Sequence, residues 1–365
     1  MAQHFWLNSR SVTLSGVDIA QLSNEQARYY LAELRWGPGV QVCPRCGTVD
    51  HHHDIRSRNQ WSCRSAGCGR RFSVTTGTPF ADQKIGYKKL LLAIFSFVVN
   101  QKGIAALALR RIIGGQYRTS YVLLHKIREA IMLTEPTQPL AGVVEIDGGH
   151  FAGRPRKGRK LKVAKTAPQA KSIPKKHAKP QHRDKTPNSE YPHHPNRRIV
   201  LTLREIFPPG AGKGAFRTRV VVAPREDTAN VEAAVRKYVA KHSTIRSDES
   251  SAYGNLKLMG YYHETVNHTV EFSSDEGVNE NQAESFFSRM RRAFIGVYHK
   301  ITPLYMLDYA REMGWREDVR RLSTREQMQG LLRRVCGSGT SHDWLNYGRR
   351  GCKRRLELMV DTQVA

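Results

Sequence analysis

Four cysteines near the start constrain this chain most. Cys43-Pro-Arg-Cys46-Gly is followed by Trp61-Ser-Cys63 and then by Cys68-Gly-Arg-Arg-Phe72. The pairs enclose two and four residues and stand sixteen residues apart. That is the spacing of two knuckles closing a tetrahedral four-thiolate zinc site. The small residues around the first pair let backbone amides face the sulfurs. Such a site is structural, because four thiolates leave no open position for chemistry. His51, His52 and His53 lie between the pairs and read as loop residues, since the shell is already complete.

The charge narrows the partner. Lys plus Arg number 59 against 32 for Asp plus Glu, a net +27 over 365 residues. An excess of this size favours a polyanion, most often nucleic acid. The longest apolar run, Leu90 to Val99, is about half of what a bilayer span requires, so no membrane role is expected. The first ten residues carry no apolar signal core, and the cysteine usage suits a reducing compartment, which together point to the cytoplasm. Cys336 and Cys352 read as unpaired thiols.

The periodicity divides the chain into five parts. Residues 1–40 form an N-terminal helical segment, with Ser23 or Asn24 as cap. Residues 41–80 are the zinc ribbon. Residues 81–135 read as a helical, helix-turn-helix-like DNA-binding domain. Its second helix, broken from the first by Gly114-Gly115, offers Tyr121, His125, Lys126 and Arg128 to a groove. Residues 140–320 form an α/β domain, and 321–365 a basic tail. Within the α/β domain, residues 154–196 read as a basic insertion. Arg154 to Lys185 carries thirteen Lys or Arg against the single Asp184, a composition for a loosely ordered phosphate clamp.

Strand patterns at 143–147, 198–206, 217–223, 244–248 and 262–268, with a helix at 231–242 and another from 281, give the order of a ribonuclease-H-like mixed sheet. Asp147 and Asp248 each end a strand. On the last helix Ala283, Phe286, Phe287, Met290, Ala293 and Phe294 fall in one arc of roughly 120°. Asn281, Glu284, Ser288 and Arg291 fall opposite. Three acids on separate elements are the protein's minimum contribution to a pair of Mg²⁺ (or Mn²⁺) ions flanking a phosphate.

V-E-I-D-G-G-H-F-A-G (144–153), S-D-E-S-S-A-Y (247–253), H-E-T-V-N-H-T-V-E-F (263–272) and N-Q-A-E-S-F-F-S-R-M-R-R-A-F-I-G-V-Y-H (281–299) together resemble the motifs of the insertion-sequence transposases of the ISXO-like zinc-ribbon family. The C-P-x-C-G module and F-S-V-T-T-G-T-P-F resemble their zinc ribbon. The resemblance implies a DDE-type DNA transposase that cuts element ends and joins the freed 3′-hydroxyl to target DNA, working as a homodimer or larger assembly. It makes Asp147 and Asp248 metal ligands, with Glu284 as the third and Asn281 as its alternative. Arg291 stands where the family has Lys, placed to hold a DNA phosphate, and His299 is placed at a phosphate or leaving group. Gly148 and Gly149 replace the family's usual acid and Thr after the first aspartate. Two other readings share these features: a domesticated, inactive DNA-binding protein, and a nuclease on the same fold.

Overall fold

A computed structural model describes residues 5–151, 197–212, 214–265 and 281–362, with Asn281 described by its backbone alone. The basic insertion at 154–196 therefore lies outside the described residues, as do residues 266–272 of the 263–272 motif.

Two short helices open the described chain, α1 (Gly16–Gln21) and α2 (Asn24–Trp36), in place of the one helix expected. Ser23 caps α2 in a reciprocal box with Gln26. The ribbon follows as three antiparallel strands, β1 (His52–Ile55), β2 (Gln60–Cys63) and β3 (Arg71–Phe72). Arg28 fastens α2 to it. This fully buried guanidinium lies 3.7 Å above the Trp61 ring and bonds Asp54 at 2.6 Å.

The helical region comprises α3 (Tyr87–Val99), α4 (Ala106–Ile113) and α5 (Tyr117–Leu133). The second module is a five-stranded mixed sheet in the order β6-β5-β4-β7-β8. It is built from β4 (Val143–Phe151), β5 (Arg198–Ile206), β6 (Ala215–Ala223), β7 (Thr244–Ser247) and β8 (Tyr262–Thr265). β4 pairs antiparallel with β5 and parallel with β7. One face buries Val144, Ile146, Leu201 and Leu203 against α6 (Thr228–Tyr238). The other buries Val200, Val220 and Val222 against α7 (Asn281–Ala293) and α8 (Met306–Val319). The apolar arc read from the sequence is the buried side of α7: Ala283, Phe286, Phe287, Met290 and Ala293 are all buried, and Phe294 packs at their margin.

Two expectations are corrected here. Residues 321–365 are not simply a tail. They include α9 (Thr324–Gly337), whose Met328, Leu331, Leu332 and Val335 enter the same core as Trp61, Phe97 and Leu124. The helix expected to read DNA is also misplaced by sequence reasoning. In α5, His125 and Arg128 are each 1% exposed. Trp344, from the segment after α9, stacks on His125 at 4.2 Å, and Tyr121 lies against the same indole. Lys126 is half-buried. His125 and Arg128 are therefore spent on packing and cannot face a groove, whereas Tyr117, Arg118 and Thr119 at the start of α5 are exposed. No helix among the described residues is long and apolar enough to cross a membrane.

Glu312 of α8 joins the two modules. Its buried carboxylate accepts from Arg128 at 2.6 Å and Arg316 at 2.8 Å, and Arg316 also donates to the Phe97 carbonyl at 2.7 Å. Burial pushes its pKa upward, yet the Arg128 and Arg316 guanidiniums hold it below the usual carboxylate range. Replacing Glu312 by Leu strands two buried cations. We expect a loss of about 3–5 kcal/mol in denaturant unfolding, whereas exposed Arg292→Ala should leave stability unchanged.

Candidate active site

The active-site candidate is set by alternate residues of β4. Glu145, Asp147, Gly149 and Phe151 project to one face, because strand side chains alternate. Glu145 accepts the backbone N–H of Gln282 at 3.0 Å and of Ala283 at 3.2 Å. These are amides of the first turn of α7, which lack partners within the helix. Arg204, paired opposite Glu145 in register, donates to the Gln282 carbonyl at 2.6 Å. Farther along β4, Gly149 lets the Phe287 ring lie on bare backbone, where a Cβ would collide with it. The strand thus holds α7 at two points, with Asp147 between them on the strand and Glu284 between them on the helix.

Burial lifts the Asp147 carboxyl to about 6. The charges of Asp248, Glu226 and Glu284 push the same way, against one hydrogen bond from the Gly148 amide. Asp248 and Glu284 thus each lie within electrostatic reach of Asp147. Asp248 follows β7 directly, and its carboxylate accepts the Ser250 amide at 3.1 Å. Glu284 is exposed on α7. The Asn281 side chain lies outside the described residues. Arg291 is exposed, its guanidinium 5.6 Å from the Phe287 ring centroid. His299 is exposed and sits at φ +57° beyond a π-helical turn over Phe294–Tyr298. The turn's left-handed residue is therefore His299 rather than Gly296, and its Nδ1 lies 2.9 Å from the Ile295 carbonyl.

Two carboxylates escaped the sequence reading. Glu145 had a signal: a charged residue in the buried strand Val143 to Ile146, two places before Asp147 and so on its face. Glu226 had none. It lies in the turn between β6 and α6, and its carboxylate rests on Gly148. Among the described residues, the four cysteines alone bring three or more ligating atoms within 4.8 Å of one another, so the acids are more widely spaced than a single-ion cage.

In the ribbon, Sγ atoms of Cys43 and Cys68 are 3.7 Å apart, and those of Cys46 and Cys63 3.6 Å. A tetrahedron with Zn–S bonds of about 2.3 Å has edges of about 3.8 Å, so the four thiolates fit zinc. His52 is not a ligand. Its Nε2 lies 3.2 Å from the Gln41 carbonyl and 3.1 Å from that of Thr48, bracing the first knuckle from β1. Cys336 and Cys352 are free thiols. A cleft of about 800 Å³ opens beside the ribbon, with exposed Arg45, Arg58, Arg70 and Arg71 on its walls and the Ser73, Thr75 and Thr76 hydroxyls beneath.

Compared with known families, residues 22–71 match the transposase zinc-ribbon domain, which accounts for the four cysteines and their strands. Residues 139–318, the sheet module with its acids, match the ISXO2-like transposase domain, and the chain belongs to that transposase family. It is similar to an uncharacterized protein in transposable element ISH50 of Halobacterium salinarum, 30% identical over 128 residues. That alignment covers 34% of this chain and 41% of the relative. No solved structure matches the chain.

The grip on α7 can be tested directly. Glu145→Ala leaves two buried amides without an acceptor, and we expect a loss of about 2–3 kcal/mol in denaturant unfolding. Glu145→Gln keeps an acceptor oxygen and should recover at least half of that loss. Equal stability of Glu145→Ala and the wild type would remove Glu145 from this role.

Proposed function

We propose that this protein is a DNA transposase that cuts the ends of its insertion sequence and joins the freed 3′-hydroxyl to target DNA. The observation that carries the reading is the gathering of acids from separate elements around a half-buried Asp147, whose carboxyl is raised by burial and then by the nearby charges of Asp248 and Glu284, within a domain of the ISXO2-like transposase family. The sheet order, with β5 antiparallel to both its neighbours β4 and β6, and with β7 and β8 parallel to β4, supports a ribonuclease-H-like framework.

The acids suit divalent magnesium or manganese. They are hard oxygen donors from three separate elements, the ligand type these ions prefer. Bound there, the ions would activate a hydroxyl nucleophile and neutralise the charge on phosphorus. The work of the chain is positional. Asp147 and Asp248 present their carboxylates from neighbouring parallel strands, and α7, fixed by Glu145 and Gly149, brings in Glu284. In the first step water adds across a P–O3′ bond: its oxygen bonds to phosphorus, and the departing 3′-oxygen keeps a proton. In the second, that 3′-oxygen bonds to a target phosphorus while another 3′-oxygen leaves. One bond forms as one breaks, so no further energy source is needed. Glu284 takes the third position rather than Asn281 in this reading, and the charge it exerts on Asp147 supports the choice.

DNA is the partner that this chemistry and the net charge require. The cleft beside the ribbon is the surface we assign to its phosphate backbone, replacing α5. Arg56 takes part in ion pairs on the ribbon, whereas the cleft arginines stand open to solvent.

Two experiments test this. Asp147→Ala and Asp248→Ala should abolish Mg²⁺-dependent cutting of DNA carrying the element ends while leaving DNA binding within twofold, and cutting at the wild-type rate by either variant would refute the site. Cutting without joining would make the protein a nuclease instead. Replacing Arg58, Arg70 and Arg71 together by Ala should flatten the slope of log affinity against log salt by about 2–3. An unchanged slope would place the DNA elsewhere.

A further inference from the structure

We propose that Glu226 is a fourth metal-binding carboxylate of the active site, held in place by Tyr253 and admitted by the missing side chain at Gly148. The inference rests on the reading that Asp147, Asp248 and Glu284 hold divalent cations.

The geometry places Glu226 at the reaction centre rather than at its edge. Its carboxylate lies directly on the α-carbon next to Asp147. A Cβ built on Gly148 would strike both of its oxygens, so any other residue at 148 would displace it. The backbone at 148 does not itself require glycine, since its φ is not positive. What the glycine provides is room for the carboxylate above it.

The second tether is a hydrogen bond. Tyr253 is fully buried, and its hydroxyl donates to Glu226 Oε1 at 2.7 Å. Tyr253 belongs to the short turn Ser251–Tyr253 that follows Asp248. One hydrogen bond therefore ties Glu226 to the loop bearing the second aspartate, while Gly148 seats it beside the first. Oε2 is not engaged by that bond.

Among the described residues no cation balances these acids. Asp147, Asp248 and Glu226 take part in none of the Lys or Arg ion pairs found among the described residues. The hydrogen bonds to them come from neutral groups: the Gly148 amide, the Ser250 amide and the Tyr253 hydroxyl. Burial raises the Glu226 carboxyl, and Asp248 raises it further. Several half-buried carboxylates with neutral partners repel one another, and a divalent cation relieves that repulsion. If Glu226 were only a structural acceptor for Tyr253, a glutamine would serve equally, because its carbonyl accepts the same hydrogen bond.

That difference defines the test, made on the full-length, zinc-loaded protein by titrating Mn²⁺ with calorimetry or electron paramagnetic resonance. Glu226→Gln should lower Mn²⁺ affinity at least tenfold. Its melting temperature without Mn²⁺ should be no lower than wild type, because a repelling charge has gone. Gly148→Ala, which pushes the carboxylate aside and keeps every charge, should also lower the affinity, and it serves if Glu226→Gln fails to fold. Wild-type Mn²⁺ binding by either folded variant overturns the assignment. Asp147→Asn and Asp248→Asn are the reference. If they weaken Mn²⁺ binding and Glu226→Gln does not, Glu226 alone is excluded. If none of them weakens it, the metal reading of the whole site falls.

Discussion

The placement of α7 against the sheet depends on one buried carboxylate. Glu145 receives two backbone amides at the start of α7, and through them the helix is aligned with the strand that bears Asp147. A helix N-terminus carries a partial positive charge and several amides without partners, so a buried acid is its natural complement. Once that end is fixed, Phe287 settling on Gly149 sets the tilt, and the position of Glu284 follows. The Glu145–Arg204 pair across β4 and β5 makes the first turn of α7 an extension of the sheet. An acid from a helix can then meet acids from strands without depending on a flexible loop.

Much of this was legible in sequence because it follows local periodicity. Val143 to Asp147 and Thr244 to Asp248 read as buried strands ending in acids, and the structure keeps both, although β4 runs on through its two glycines to Phe151. The spacing of Phe286, Phe287, Met290 and Ala293 gave the buried face of α7 correctly. The four cysteines declared their geometry through spacing alone. Failures came where long-range contacts override a local pattern. His125 and Arg128 look like groove-reading residues on an amphipathic helix. Yet Arg128 meets Glu312, 184 positions away, and that distance carries no signature along the chain. Glu226 is harder still. Pro224 to Asp227 has no period to read, and only the tertiary contact of the Glu226 carboxylate with Gly148 gives the acid its place.

The glycines after Asp147 show how a departure from a family pattern is explained by packing. Each clears space for one particular neighbour, the Glu226 carboxylate at 148 and the Phe287 ring at 149. Neither is there for backbone freedom, since neither has a positive φ. A single dipeptide therefore governs both the acid content of the site and the approach of the helix that completes it.

The burial of α9 has a consequence for how the protein is made. Leu331, Leu332 and Val335 share a core with the ribbon and the first helices, and the Trp6 indole donates to the carbonyl of Arg320, 314 positions later. Chains emerge from the ribosome N-terminal end first, and contacts of such separation form late because the intervening loop must first close. The ribbon can gather its zinc early, but the body it rests on is finished only after the sheet module and α9 have been translated. A ribosome that stops short of α9 therefore releases a chain whose N-terminal core is open and whose α5 is uncovered. Full-length synthesis becomes a checkpoint on assembly.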